Sequence, residues 1–137
     1  TFNTITMAKK ESKKSKLELE YSLRSSPQIL YQYISNPSGL QSWFADRVDI
    51  MGGGQYRFSW EDGTEYHANM SKSVTNKYAR FELMESDGDY LEFRIEQDAI
   101  TGDVELIITE FVDPEEADMA ASIWDAAVED LCAIIGA

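Results

Sequence analysis

From Lys16 to Arg24 apolar and polar residues alternate, with Leu17, Leu19, Tyr21 and Leu23 on one side and Glu18, Glu20, Ser22 and Arg24 on the other. A period of two predicts a half-buried strand. The period then changes. In "SSPQILYQYIS" Leu30, Tyr33 and Ile34 recur at helical spacing, Ser26 stands where an N-cap belongs, and Pro27 takes the first helical position. Asn36-Pro37 stops this helix, because the residue before a proline avoids the helical region. Asn36 or Ser38 can cap a second, very short helix carrying Leu40, Trp43 and Phe44.

From "RVDIM" the period returns to two. Gly52 to Gly54 make a turn or bulge, and Tyr56, Phe58 and Trp60 then share a face. Asp62-Gly63 is a strong hairpin signal, followed by Tyr66, Ala68 and Met70 in phase. After the Asn76-Lys77 turn come Ala79, Phe81 and Leu83; after Ser86 to Asp89 come Leu91, Phe93 and Ile95. Ile100 to Asp103 form the last hairpin turn, before "VELIITEFV". The face of that strand stays open, because adjacent Ile107 and Ile108 are compatible with a bulge. Asp113 as N-cap, Pro114 at the first helical position and Glu116 at the third predict a capping box. Ala120, Ile123, Trp124, Ala127, Leu131, Ile134 and Ile135 form one stripe of a long closing helix, and Gly136 suits its C-terminal cap.

The order is strand, two short helices, a meander of hairpins and one long helix. Consecutive antiparallel strands need only hairpins. A one-sided sheet must have its apolar face covered, and only the terminal helix is long enough to do so. The expected fold is α+β: a curved antiparallel sheet of about six to seven strands wrapped around a long C-terminal helix.

Composition narrows the function. A chain of 137 residues fits one domain, expected over 16–137 behind a tail at 1–15. Residues 1–6, ahead of Met7, read as a remnant outside the fold. Lys9, Lys10, Lys13, Lys14 and Lys16 crowd near the start, so residues 17–137 hold seven cations against twenty-four acids, a charge of −17. Such a body repels nucleic-acid phosphates and anionic lipid. No aromatic interleaves the lysines, and a solvated tail accounts for them. No apolar run spans a bilayer, no secretory-signal pattern opens the chain, and lone Cys132 forms no internal disulfide. A cytoplasmic location is expected.

Reactive constellations are scarce. His67 is the only histidine, which leaves no histidine-based metal cluster, and it falls on the polar phase of its strand, where a solvent-facing side chain is expected over a general base. "MGGGQYRF" leads into a strand rather than a helix N-terminus, so it makes no phosphate cradle. No catalytic residue, cofactor or metal is expected. The aromatic residues say more. They either fill the space between sheet and helix or leave a cleft in it. The expected lining is Trp43, Phe44, Tyr56, Phe58, Trp60, Tyr66, Met70, Phe81, Phe93, Ile123, Trp124 and Ala127, with tyrosine hydroxyls as polar handles. Trp43 and Phe44 would close the mouth, acting first as core plugs.

Ser26-Pro27, Asn36-Pro37, Leu40 and the Trp43-Phe44 pair, with "IWDAAVEDL" in the closing helix, form a pattern that resembles START-like (helix-grip) domains. It is most similar to the branch named after the activator of the heat-shock protein 90 ATPase. The resemblance implies a cleft between the sheet and the C-terminal helix that takes lipids, sterols, polyketides or other hydrophobic small molecules. The leading expectation is therefore a non-enzymatic protein binding a hydrophobic small molecule, as a monomer or weak homodimer. An acidic co-chaperone-like module docking a protein partner is the alternative, and a cyclase- or hydratase-like enzyme the third.

Overall fold

The computed structural model describes residues 14–86 and 88–137, so most of the lysine-rich tail lies outside the described residues. Strand β1 (Ser15–Leu23) is followed by helices α1 (Pro27–Ser35) and α2 (Pro37–Trp43). Strands β2 (Arg47–Gly52), β3 (Gln55–Ser59), β4 (Glu65–Val74), β5 (Tyr78–Leu83), β6 (Tyr90–Gln97) and β7 (Val104–Val112) come next, then helix α3 (Ala117–Ile135). All seven strands form one antiparallel sheet in the order β1-β7-β6-β5-β4-β3-β2. The meander is complete from β2 to β7, and β1 closes onto the last strand, pairing Ser15 with Val112 and Leu23 with Val104. The architecture is the expected α+β one.

Local chemistry explains the corner between α1 and α2. The Ser26 hydroxyl accepts the Ile29 N–H at 3.1 Å, as a cap should. Pro37 has no N–H to offer the carbonyl four residues back, that of Tyr33. The Trp43 indole N–H donates to that carbonyl instead, at 2.8 Å. The Tyr56 hydroxyl donates to the Ser35 carbonyl at 3.0 Å, and the Trp60 indole N–H to the Phe44 carbonyl at 3.0 Å. Three aromatic side chains thus satisfy carbonyls freed where the helices end.

Beneath this corner Leu30, Ile34 and Leu40 are fully buried with Phe58, Phe81 and Phe93. Phe44 stacks on Trp124 at 5.4 Å and meets Phe93 edge-on at 5.7 Å. Trp43 packs edge-on against Phe93 at 5.6 Å. The Trp-Phe pair is the plug expected of it.

Two expectations are corrected, and the open face of the last strand is decided. The capping box does not form: Pro114–Glu116 make a 3-10 turn in which the Glu116 N–H reaches the Asp113 carbonyl at 2.9 Å, leaving no role for either side chain. The buried stripe of α3 is narrower and rotated, comprising Trp124, Val128 and Leu131. Ile123 is 63% exposed and Ile134 45%, because stacking of Trp124 on Phe44 sets which side meets the sheet. β7 carries no bulge at Ile107 and Ile108; its register with β1 and β6 is continuous. Ile107 is buried on the outer face instead, between Glu20 and Arg94, whose long stems cover it. The register shifts lie at Ile50/Gly52 and Met70/Lys72.

Candidate functional site: a cleft under the closing helix

Where α3 leaves the sheet near its N-terminal end, a cleft of about 350 Å³ remains. Its inner wall is Phe44, Trp60 and Tyr66; its outer wall is Met119, Ala120, Ile123, Trp124 and Ala127 of α3. Glu110 and Val112 of β7 form the floor, and Asp62, Thr64 and Glu116 stand at the rim. The rings hold one another: Trp60 meets Phe44 at 5.2 Å and Tyr66 at 5.2 Å, both edge-on. Of the expected lining, Phe44, Trp60, Tyr66, Ile123, Trp124 and Ala127 meet here. Trp43, Tyr56, Phe58, Phe81 and Phe93 are instead packed in the core, and Met70 lies half-buried against it. The aromatic residues therefore do both things foreseen for them: one part fills the gap, the other borders open space.

Glu110 was not among the expected residues. It follows Val104, Leu106 and Ile108 in the inward phase of β7, which the Ile107-Ile108 pair had obscured. Its Oε2 accepts the Trp124 indole N–H at 2.7 Å, tying floor to outer wall. Burial pushes its carboxyl above the usual range; the Trp124 hydrogen bond and the charge of Lys14 pull the other way. Tyr66 is pushed up as well, by burial and then by the negative field of Glu110, Asp62 and Glu116. Asp62 moves down, because it accepts the Thr64 N–H at 2.9 Å. The cleft is apolar on its sides and negative at its floor and rim.

Other chemically capable groups stand elsewhere. His67 is on the outer phase of β4, between Glu65 at 3.3 Å and Glu85 at 3.1 Å. Cys132 is half-buried, and burial followed by the Glu129 charge raises its thiol. The tyrosine handles expected in the cleft divide: the Tyr56 hydroxyl is committed to the Ser35 carbonyl, while Tyr66 lines the open space. Among the described residues no group of three or more His, Cys, Asp and Glu could hold a metal ion, and no helix is long and apolar enough to cross a membrane.

A sheet gripping a helix over an apolar cleft defines a class. The family model for the START-like superfamily domain matches residues 11–137, and the chain belongs to that superfamily. The solution structure of a Bacteroides fragilis protein is 34% identical, covers 87% of this chain and 89% of its own, and superposes with a TM-score of 0.61. The Aha1 dimer from Colwellia psychrerythraea is 18% identical over 88% of this chain and 93% of its own, with a TM-score of 0.65. A conserved protein of unknown function from Enterococcus faecalis is 19% identical over 87% of this chain and 70% of its own, with a TM-score of 0.62. The last two share the fold alone. No curated protein matches the chain.

Proposed function

We propose that this START-like domain binds a small hydrophobic molecule in the cleft between β4, β7 and α3. The observation that carries the reading is the open volume of about 350 Å³ bordered by Phe44, Trp60, Tyr66 and Trp124 where the rest of the core is tightly packed. That volume is at the small end of the roughly 300 to 1,000 Å³ usual for ligand pockets, which favours a short-chained or single-ring molecule over a whole phospholipid. The role is one of binding rather than turnover: the residues around the cleft hold and orient, and His67 points away from it. The Ser26-Pro27, Asn36-Pro37 and Trp43-Phe44 spacing, with the Aha1 fold match, supports the branch named after the heat-shock protein 90 ATPase activator.

Native mass spectrometry of gently purified protein, with titration of the neutral probe N-phenyl-1-naphthylamine, tests the reading. The expected result is saturable probe fluorescence at one site per chain, weakened at least about fivefold in Tyr66→Ala. A ligand-free mass together with no saturable fluorescence overturns it.

A further inference from the structure

The walls of the cleft suit many apolar molecules, but its charge does not. Glu110 lies at the floor, and Asp62 and Glu116 stand at the rim, while among the described residues the lining holds neither Lys nor Arg. Trp60 and Tyr66 stand edge-on to each other at 5.2 Å, presenting differently oriented ring surfaces on one side of the space. Trp124 and Phe44 complete the ring set, and Trp124 also donates its N–H to Glu110. Aromatic faces carry negative charge at their centres and attract a poorly hydrated cation. A carboxylate at the bottom of the same space adds a fixed counter-charge in a low-dielectric setting, where attraction is stronger than in water. An anionic head group would instead face three acids. Among the described residues the base whose charge acts on Glu110 is Lys14, which lies outside the lining and pairs with Asp89 at 3.8 Å.

We infer that the cleft selects an amphiphilic organic cation, with an ammonium or alkylammonium head between Glu110, Trp60 and Tyr66 and a short apolar body along the α3 wall. This deepens the hydrophobic-binding reading and rests on it. The head sits over ring faces and against one carboxylate oxygen; the body lies on Ala120, Ile123 and Ala127. Ile123 and Met119, both exposed on α3 and both lining the cleft, then have an apolar surface to cover.

The test uses three probes of one chain length on the full chain, each below its micelle concentration: octyltrimethylammonium, 1-octanol and octanoate. Calorimetric titration in about 0.15 M NaCl screens attraction to the acidic surface at large. The expected order is octyltrimethylammonium, at least about tenfold tighter than 1-octanol, then octanoate weakest. Glu110→Gln, checked for folding by circular dichroism, should bring the cation to within about threefold of the alcohol and leave the alcohol nearly unchanged. Equal affinity for cation and alcohol overturns the cation selectivity and leaves the hydrophobic-binding reading standing. A cation preference that survives both Glu110→Gln and Trp60→Ala overturns the assignment to this cleft. If no probe binds, both readings fall.

Discussion

Glu110 is held where a carboxylate is costly to ionise, at the end of an inward run of Val104, Leu106 and Ile108. Its carboxyl is raised in the folded state, so folding favours the protonated form. As pH rises through the range between its unfolded and folded values, the unfolded chain releases its proton first and the fold loses stability. Glu110→Gln keeps an oxygen for the Trp124 N–H and removes the charge. The variant is expected to melt higher than the parent at pH 7, with the difference closing below about pH 4, where both states of Glu110 keep the proton. Paired thermal melts across pH check this; a variant less stable at pH 7 would refute it. The residue was legible only in part. Its alternation with Leu106 and Ile108 was visible, but Ile107 beside Ile108 hid the phase, since burial of Ile107 on the outer face depends on Glu20 and Arg94 from neighbouring strands. The same limit hid Glu92: at 6% exposed it bonds Arg80 at 3.0 Å on the outer face, in a strand whose sequence shows only an ordinary polar position.

Among the elements, the corner between α1 and α2 shows what a glycine can do inside a helix. Pro37 to Trp43 is the short helix expected after Asn36, and Gly39 sits inside it. A Cβ on Gly39 would run into the Gln32 carbonyl and come 2.8 Å from the Tyr33 Cα. The glycine is there because α1 crosses too closely for any side chain. Alanine is the better helix former by about 1 kcal/mol, so propensity alone predicts that Gly39→Ala stabilises. The crossing predicts the opposite, a loss of about 1 to 3 kcal/mol, from backbone overpacking. Urea unfolding decides between them, and a stabilised Gly39→Ala would mean the helices separate freely. The strands were legible because each turn carried its own signal: Asn76 and Gly102 take positive φ where the sequence placed turns. The face of α3 was not, because its apolar residues wrap more than half the helix and only the Phe44–Trp124 stack chooses among them.

For the molecule as a whole, order of elements was enough to give the architecture: one helix long enough, one sheet with a side to cover. What order cannot give is volume, so the division of the aromatic set into packed core and cleft wall emerged only from the structure. Charge acts at this scale too. A net charge of −13 on 137 residues makes the folded state repel itself. Raising NaCl from about 0.05 to 0.5 M shortens the screening length from over 10 Å to a few ångströms and should raise the melting temperature by about 3 °C or more. A melting temperature that falls with salt would show that ion pairs such as Arg80–Glu92 outweigh the repulsion. The closure of β1 onto β7 sets a timetable for the chain as it is made. On the ribosome β1 emerges early and finds no partner; β2 to β6 can zip into hairpins one by one, each with its neighbour. The first strand waits, with its edge bare, until Val104–Val112 has left the exit tunnel. Its Glu18 and Glu20 keep that waiting strand soluble, so the acids on β1 serve the unfinished protein as much as the finished one.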